Sequence, residues 1–476
     1  MCRLRLRKKR MVFSSLTFVC VFLPVTFLLY HVIPSMKCRN ILLIIASLIF
    51  YAYGEPVYVL LMIVSTICNY IFGRMMKTEK KKAVLAAAVI VNLSLLGVFK
   101  YTDMLLMTLN RIGGLDLAPA RIKLPIGISF YTFQAMSYVI DVYRGTVKAQ
   151  RSYWKVLLYI AFFPQLIAGP IVKYHDIERQ ITERHADAQR VAWGFRRFIV
   201  GLSKKALISN VMALAADTVF ALELSQVNIC SAWLGAAAYM LQIYYDFSGY
   251  SDMAVGLGHM FGFTFMENFK YPYVSVTIKE FWRRWHISLS TWFKEYLYIP
   301  LGGNRKGTVR TRVNKMIVFF CTGLWHGADW TFVVWGLYHG IFLLLEDVLP
   351  FRKLPKWLGH IYALVVVCTG FVLFRADTIG QGMGIILRMF AGWNFSADCM
   401  NAALSLCTPL FLFILPVGII AAVPWKERLA VCMEKTGRRS GAKELAASYL
   451  GAGILLILCM LNLSGGTYNP FIYFRF

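Results

Sequence analysis

Charged residues are scarce in this chain. Only 16% of its 476 residues are Asp, Glu, Lys or Arg, while 58% are hydrophobic. Soluble domains are about a quarter charged and about half apolar, so a globule in water could not bury this much apolar surface. The composition therefore predicts an integral membrane protein whose main solvent is the lipid bilayer.

Acidic residues are few as well. The chain has 24 Asp and Glu against 51 Lys and Arg, a formal net charge of +27. Nucleic-acid binding would fit this charge but not the hydropathy, so no nucleic acid is expected as a partner. An excess of Lys and Arg is typical of the cytoplasmic loops of membrane proteins. Some of these cations could also meet an anionic substrate, such as a coenzyme A phosphate or an acidic polysaccharide.

Several catalytic and ligand-binding motifs are missing. The 11 cysteines include no Cys-x-x-Cys pair and no Cys/His cluster with zinc-ligand spacing, so neither a disulfide framework nor a metal site is predicted. No Gly-x-Ser-x-Gly elbow and no phosphate-cradling P-loop occurs. A Ser-His-Asp hydrolase within this chain is therefore not expected.

Hydrophobic stretches recur from end to end, and roughly 20 apolar residues are needed to cross the hydrocarbon core. The predicted segments are 12–32, 41–53, 57–72, 83–99, 153–172, 232–247, 316–324 with 331–345, 360–374, 404–423 and 446–463. Several are short or interrupted by polar residues, which is tolerated only where the backbone is buried in protein or lines a cavity. The pattern predicts an all-α, polytopic bundle with an interior site.

The basic N-terminus affects the predicted topology. Residues 1–10 carry six Lys and Arg, which would hold the N-terminus in the cytoplasm and place the lysine-rich loop after 57–72 outside. That arrangement opposes the positive-inside tendency, whereas a start at Met11 agrees with it. We therefore expect residues 1–10 to be either an extension upstream of the true start or a minor perturbation of the topology, followed by a single membrane domain over 11–476.

Ionisable residues inside a membrane domain cost about 2.5–3.5 kcal/mol each at a helix centre, and here they concentrate between 242 and 339. The first group, 244–252, contains Asp246 and Asp252 with Gly249 between them. It is either a helix terminus at the interface, capped by Asp and Ser, or part of a polar site. The glycine permits a turn or a close helix approach.

The second group is 279–290. Taken as one helix, it allows Glu280 to pair with an arginine at i+3 or i+4. It would also place four polar side chains on one face: Lys279, Arg283, His286 and Ser290. This face fits either an amphipathic helix at the membrane interface or a phosphate-binding surface for an acyl-CoA donor.

The third group surrounds His326, which lies between two apolar runs beside Trp325 and Gly327. Most histidines in apolar segments are hydrogen-bonded core residues, but the glycines here leave room for a ligand beside the ring. A neutral imidazole can accept a hydroxyl proton near neutral pH. Asp329, at i+3, is placed to orient the ring.

At these residues the sequence resembles the alginate O-acetyltransferase branch of the membrane-bound O-acyltransferase (MBOAT) family, which also includes the D-alanyl transfer proteins of teichoic-acid modification. The matching stretches cover most of the chain: 11–15, 124–134, 163–171, 245–252, 281–290, 298–304, 325–327 and 468–474. The resemblance implies the MBOAT fold, a ring-like bundle of about 10–12 transmembrane helices with short re-entrant or interfacial helices. The catalytic core would lie at about 124–345.

The resemblance also implies the chemistry. The family's catalytic histidine matches His326, and its second characteristic polar position matches His286. An acetyl group would pass from cytoplasmic acetyl-CoA, a substrate rather than a bound cofactor, through a multi-pass protein of the bacterial inner membrane. Its destination would be an extracytoplasmic polysaccharide, with an extracytoplasmic esterase-like acetyltransferase as partner. No metal is needed.

Further residues near these positions are candidates for substrate binding: Lys279, Arg283, Trp325, Asp329, Asp246 and Asp252. The tail over 471–474 is similar to the Phe-x-Tyr-Phe ending of a small membrane peptide in teichoic-acid systems. Tyr473 is therefore either an acyl relay or an aromatic anchor at the membrane interface.

Two other classes stay open at this point. A secondary transporter or flippase for lipid-linked sugars would share the hydropathy and the intramembrane charges, although the inverted repeats common in such folds are not visible. A non-catalytic scaffold for a secreted acyltransferase is the third class, and the presence of both histidines argues against it. The sequence does not identify the polysaccharide, whether alginate-like or another cell-envelope polymer.

Overall fold

A computed structural model describes residues 11–349, 351, 354–425, 442–465 and 472 of the chain. The regular structure of these residues is helical, and no β-strand occurs among them. The all-α prediction is therefore confirmed. The chain divides into two compact units, Met1–Phe198 with Ser251–Met266 and Ile199–Tyr250 with Glu267–Phe476.

The α-helices of the described residues are named here in chain order. They are α1 Leu23–Val32, α2 Met36–Gly54, α3 Tyr58–Met75, α4 Lys81–Gly113, α5 Ile128–Arg144, α6 Tyr153–Ala161, α7 Phe163–Leu166, α8 Tyr174–Thr182, α9 Ala188–Ser203, α10 Asn210–Ala221, α11 Ile229–Met260, α12 Ile278–Arg284, α13 Ile287–Phe293, α14 Gly307–His326, α15 Trp330–Val348, α16 Lys356–Arg375, α17 Ile379–Ala391, α18 Ala397–Ser405, α19 Pro409–Ala421 and α20 Ala442–Ser464. Short π-helical segments at Phe18–Phe22, Lys204–Ser209 and Lys294–Tyr298 and 3₁₀ turns at Leu224–Gln226 and Pro272–Val274 stand between them.

Seven helical stretches in the described part of the chain are long and apolar enough to cross a membrane. They are Met36–Gly54, Tyr58–Met75, Lys81–Gly113, Ala188–Ala221, Trp330–Val348, Lys356–Arg375 and Leu445–Ser464. The pair α18 and α19, bent by 66°, makes an eighth if it is counted as one span. In α4 only 22% of the most apolar stretch is buried within the protein, which is what a lipid-facing helix requires.

This number is lower than the ten to twelve expected, because some predicted stretches fold as short or broken helices. Residues 153–172 form α6 and α7, separated at Phe162, and residues 156–174 are all buried in protein. Pro164 lies in the first turn of α7, since inside a continuous helix it would lack an N–H donor and clash with the preceding turn. Residues 404–423 likewise divide between α18 and α19, with Pro409 as the first residue of α19.

Helix α11 runs without a break through 244–252, so the predicted helix terminus in that stretch is wrong. Gly249 does not form a turn. It allows the α11 backbone to approach the backbone at Gly201 closely. A Cβ atom at this position would lie 2.7 Å from the carbonyl oxygen of Gly201. The two carboxylates of the stretch, Asp246 and Asp252, are therefore side chains of a continuous buried helix.

Two glycines allow α14 and α15 to pack closely against each other. A Cβ at Gly336 would lie 2.3 Å from the carbonyl oxygen of Phe319, and one at Gly323 would lie 2.4 Å from that of Phe332. Small residues at helix contacts let the backbones of membrane helices approach. The contact places His326, at the end of α14, beside the first turns of α15.

Candidate active site

His326 is the last residue of α14 and has 7% of its surface exposed. The helix ends there because Gly327 is extended and the chain turns into α15. Three aromatic rings pack against the imidazole, with ring centroids 5.0 Å away for Trp325, 5.0 Å for Trp335 and 5.2 Å for Phe374. Helices α14, α15 and α16 therefore all contribute to its surroundings.

A small cavity adjoins His326. It has room for about one water molecule. Its walls are formed by Ile243, Phe247, Trp285, His326, Trp335, Phe371, Phe374 and Ile472. His326 is the titratable side chain among these lining residues, so an acyl group placed here would meet one imidazole in otherwise apolar surroundings.

His286 is completely buried, and its ring centroid lies 6.3 Å from that of His326. Trp325 packs against both rings, at 5.7 Å from His286. The structure thus brings the two predicted catalytic histidines and Trp325 together. His286 has φ 43° and ψ 55°, the left-handed region, which costs a residue with a side chain about 1–3 kcal/mol.

The expected single helix over 279–290 is wrong. α12 ends at Arg284, and His286 precedes the first turn of α13. The break is fixed by backbone pairing with an earlier loop, because Lys270 N–H donates to the Arg284 carbonyl at 2.9 Å and Ile287 N–H donates to that of Asn268 at 3.0 Å. Lys279, Arg283, His286 and Ser290 therefore do not share one helical face.

The cationic residues of α12 do not line the cavity. The Lys279 ammonium lies 3.7 Å from a carboxylate oxygen of Asp347, and its side chain is 43% exposed. Arg283 is exposed. The predicted pairing of Glu280 is confirmed with Arg284, at 2.8 Å.

Asn268 organises the turn that carries His286. It is buried, and its side-chain oxygen accepts hydrogen bonds from the Ser288 N–H at 3.1 Å and the Ser288 hydroxyl at 2.9 Å. The same oxygen lies 3.2 Å from His286 Nδ1. Burial lowers the pKa of His286 to about 3, because desolvation disfavours the charged form. The imidazole is therefore neutral at neutral pH.

Asp246 connects the cavity wall to a buried cation. One carboxylate oxygen lies 2.8 Å from the Lys205 ammonium, and both side chains are at most 2% exposed. The other oxygen accepts a hydrogen bond of 2.7 Å from the backbone N–H of Ile472, whose side chain lines the cavity. Asp246 thus contacts the site through Ile472.

The other predicted carboxylates have partners of their own. Asp252 accepts hydrogen bonds from Arg197 at 2.6 and 2.9 Å within the unit formed by Met1–Phe198 and Ser251–Met266. Asp329 is exposed and caps α15 by accepting a hydrogen bond of 2.9 Å from Thr331 N–H. Its expected role in orienting the imidazole is therefore replaced by helix capping. Tyr473 lies outside the described residues.

Two residues of the site were missed in the sequence. Asn268 carried no signal, because an amide in a connecting loop is common and its partner lies 18 positions away. Ile472 stands in the matched tail 468–474, where the resemblance points to the neighbouring tyrosine and an apolar side chain carries no chemical signal. In the described part of the chain, no group of three or more His, Cys, Asp or Glu side chains could hold a metal ion.

Comparison with known proteins bears on this arrangement. Residues 147–379 match the MBOAT, membrane-bound O-acyltransferase family. The Azotobacter vinelandii protein named "Probable alginate O-acetylase AlgI" is 38% identical over 98% of this chain and all of its own length. This chain belongs to the membrane-bound O-acyltransferase family.

More distant relatives carry other names. A peptidoglycan O-acetyltransferase of Helicobacter pylori is 35% identical over 82% of this chain and 81% of its own. A teichoic acid D-alanyltransferase of Bacillus subtilis is 29% identical over 52% of this chain and 68% of its own. The predictions of a multi-pass membrane protein and an acyltransferase are confirmed. In this MBOAT protein both His286 and His326 lie within the matched family segment.

Proposed function

We propose that this MBOAT protein moves an acetyl group from cytoplasmic acetyl-CoA across the bacterial cytoplasmic membrane for O-acetylation of a cell-envelope polysaccharide. The observation that carries the proposal is the position of His326. Its buried imidazole lines a small apolar cavity, and its ring centroid lies 6.3 Å from that of a second buried imidazole, His286. The names of the relatives support the class of acceptor, since alginate, peptidoglycan and teichoic acid all occur among them.

His326 acts as general base in the proposed reaction. The oxygen of an acceptor hydroxyl attacks the carbonyl carbon of the thioester while His326 takes the hydroxyl proton. The C–S bond breaks, and the leaving coenzyme A thiolate recovers that proton from the imidazolium to depart as a thiol. General-base assistance of this kind contributes typically ~10²–10⁴-fold to the rate.

The small cavity supports a short acyl donor such as acetyl. It has room for about one water molecule, and its walls are apolar apart from His326, which suits a methyl group beside a carbonyl. Lys279 and Arg283 stay proposed contacts for the donor. Because Arg283 is exposed and Lys279 partly so, they suit phosphates held outside the cavity.

An extracytoplasmic esterase-like protein is the proposed immediate partner, with Tyr473 as a relay. The Tyr473 phenol would take the acetyl group as an ester and pass it to a nucleophile of the partner. Ile472, next to it in the sequence, lines the His326 cavity, which supports a role for this part of the tail.

The relay predicts that a Tyr473→Phe variant accumulates no acetyl group on the protein and acetylates no polysaccharide. The phenol oxygen is the only heavy atom that this substitution removes. The check is base-labile radiolabel on the purified protein after incubation with labelled acetyl-CoA. Unchanged polysaccharide acetylation in Tyr473→Phe would rule out the relay and leave the role of His326 untouched.

The general-base role predicts that His326→Gln lowers acetyl transfer by at least about 100-fold, since glutamine keeps similar size and polarity but cannot take the proton. The measurement is the O-acetyl content of the envelope polysaccharide in cells with equal amounts of membrane-inserted protein. His360→Gln is the matched control, because His360 lies on α16 outside the cavity lining.

Transfer of label from acetyl-CoA to polymer in wild-type membranes separates an enzyme from a transporter of lipid-linked sugars. A transporter would deliver sugars without consuming acetyl-CoA, so no label would pass from acetyl-CoA to polymer in wild-type membranes. Near-normal acetyl transfer in His326→Gln, with His360→Gln as active as wild type, would refute the general-base assignment.

A further inference from the structure

We propose that Asn268 is a positioning residue that holds His286 in the tautomer protonated at Nδ1, so that Nε2 offers a lone pair to an amide N–H of the acyl-CoA donor. This inference rests on the proposed function, in which a thioester is held beside His326. It gives His286 the role of a neutral hydrogen-bond acceptor for the donor.

The orientation of the Asn268 amide follows from its contact with the backbone. The Ser288 N–H lies 3.1 Å from Oδ1 and can only donate, so the atom that faces it must be the oxygen. The Ser288 hydroxyl donates to the same oxygen at 2.9 Å. A flipped amide would set the two N–H donors of its nitrogen against the backbone donor, so the orientation is determined by the network.

The orientation of the amide then determines the tautomer of His286. Its Nδ1 lies 3.2 Å from the Asn268 oxygen, and a carbonyl oxygen only accepts hydrogen bonds. Nδ1 therefore carries the proton. A neutral imidazole has one N–H and one lone pair, so Nε2 is an acceptor.

The lone pair on Nε2 lacks a donor in the described part of the protein. His286 is completely buried, and Nε2 has no hydrogen-bond partner among the described residues. The rings that pack against it are Phe247 at 4.6 Å, Trp325 at 5.7 Å and His326 at 6.3 Å, of which His326 is the titratable one. A buried acceptor left unpaired is unfavourable, so this atom points to a hydrogen-bearing ligand.

The chemistry of the substrates selects the donor of that hydrogen bond. In the proposed reaction the acceptor hydroxyl gives its proton to His326 and has no second hydrogen to offer. The pantetheine arm of acyl-CoA carries an amide N–H two carbons from the thioester sulfur. An N–H held by His286 Nε2 would place the thioester carbonyl near His326, since the two rings are 6.3 Å apart.

The test compares Asn268→Asp with Asn268→Leu, which have similar size but differ in whether they accept a hydrogen bond. Asn268→Leu loses the acceptor and is expected to raise KM for acetyl-CoA by about 10–100-fold, the size of effect seen when the hydrogen-bond partner of a metal-binding histidine is removed. Asn268→Asp keeps the acceptor and is expected to have near-normal KM at alkaline pH.

The pH profile gives a readout that a purely structural role would not move. The carboxylate introduced by Asn268→Asp favours the charged imidazolium of His286 and raises its pKa. An imidazolium has no lone pair, so activity in this variant should fall as pH drops, at a higher pH than in wild type. Ser275→Ala is the control, because the Ser275 hydroxyl donates to the Pro272 carbonyl at 2.7 Å and takes no part in this network, and its profile should coincide with wild type.

A second readout uses an acetyl-CoA analogue in which an ester oxygen replaces the amide N–H nearest the sulfur. Wild type should bind the analogue less tightly than acetyl-CoA, by about tenfold, whereas Asn268→Leu should bind both alike. Equal KM values and superimposable pH profiles for Asn268→Leu and Asn268→Asp would overturn the proposal. Equal binding of amide and ester donors by the wild type would also overturn it.

The tautomer itself can be measured without any acyl transfer, which covers the case in which Asn268→Leu fails to fold. Nitrogen-15 NMR of histidine-labelled wild-type protein, with His286→Gln to assign the signal, reports which ring nitrogen carries hydrogen. A proton on Nδ1 supports the proposal, and a proton on Nε2 refutes it. Normal transfer by His326→Gln combined with an Nδ1 proton would instead refute the proposed function alone.

Discussion

Among single residues, Ile472 is one whose substitution should change the cavity most directly. It is 3% exposed and forms one wall of the cavity beside His326. Protein interiors are close-packed, so a larger side chain finds no free space around it. In this small cavity, a larger side chain at position 472 would take up most of the space available to an acyl group.

An Ile472→Phe substitution should therefore lower the rate of acetyl transfer by about tenfold or more. The larger side chain would displace the acyl group, and each ~1.4 kcal/mol of lost transition-state stabilisation lowers the rate about tenfold. The measurement is the initial rate of label transfer from acetyl-CoA in membranes. Ile472→Val, one methylene smaller, is the matched control and should stay close to wild type.

If Ile472→Phe transferred acetyl at the wild-type rate, the cavity would not be the acyl site. If Ile472→Phe and Ile472→Val lowered the rate of acetyl transfer equally, Ile472 would support folding of the tail and would not set the shape of the cavity.

Residue identity predicted the two histidines but not their partners. His286 and His326 stood out because buried ionisable groups are rare in apolar sequence, and the structure places them together. Asp329 was expected to orient His326 by helical spacing, yet α14 ends at His326, so the i+3 rule does not apply past that point. Asn268 reaches His286 from a different segment, which no local periodicity can reveal.

Among the secondary-structure elements, α11 and the π-helical segment Lys204–Ser209 are joined by a buried ion pair. It forms between Asp246 of α11 and Lys205. The pair also holds the tail, because Asp246 accepts the N–H of Ile472. Replacing a whole buried ion pair by apolar residues is often neutral for stability, whereas removing one partner costs about 3–5 kcal/mol. The stabilising and positioning roles of the pair can therefore be separated.

Lys205→Met alone should lower the unfolding temperature of the detergent-solubilised protein, because it removes the cation from a buried carboxylate. The double variant Lys205→Met with Asp246→Leu should recover most of that temperature. It should nevertheless stay less active than wild type, because the Ile472 N–H has lost its acceptor. Tryptophan fluorescence during heating gives the unfolding temperature, and the acetyl-transfer assay gives the activity.

Full activity in the double variant would show that the Asp246 contact with Ile472 is dispensable. A double variant no more stable than Lys205→Met would show that the pair stabilises the fold beyond charge compensation.

Continuity of helices was the least predictable property of the elements. Gly249 and its polar neighbours suggested an end in a stretch where α11 continues, because the glycine packs against the Gly201 backbone. The stretch 279–290 suggested one helix, where pairing with 268–270 breaks it. Both outcomes depend on backbone segments that are distant in the sequence, whereas helical spacing is a local property.

The whole molecule shows how far hydropathy alone can be taken. The apolar composition predicted a helical membrane protein, and the long exposed apolar helices agree with it. Hydropathy does not distinguish an apolar segment that faces lipid from one that is buried in the protein interior, however. The segment 153–172 is apolar and was predicted to span the membrane, yet it folds as the short helices α6 and α7, and residues 156–174 are buried in protein.

The position of Ile472 has a consequence for biosynthesis. The cavity combines Ile243 with Ile472, roughly 230 residues later in translation. At synthesis rates of ~5–20 residues per second, roughly 10–50 seconds pass between the two. A ribosome-bound, unfinished chain therefore has a histidine beside an incomplete wall, and water would have access to any thioester that arrived. Because Ile472 is made so late, a nascent chain that has not yet reached residue 472 is poorly equipped to hold the proposed thioester dry.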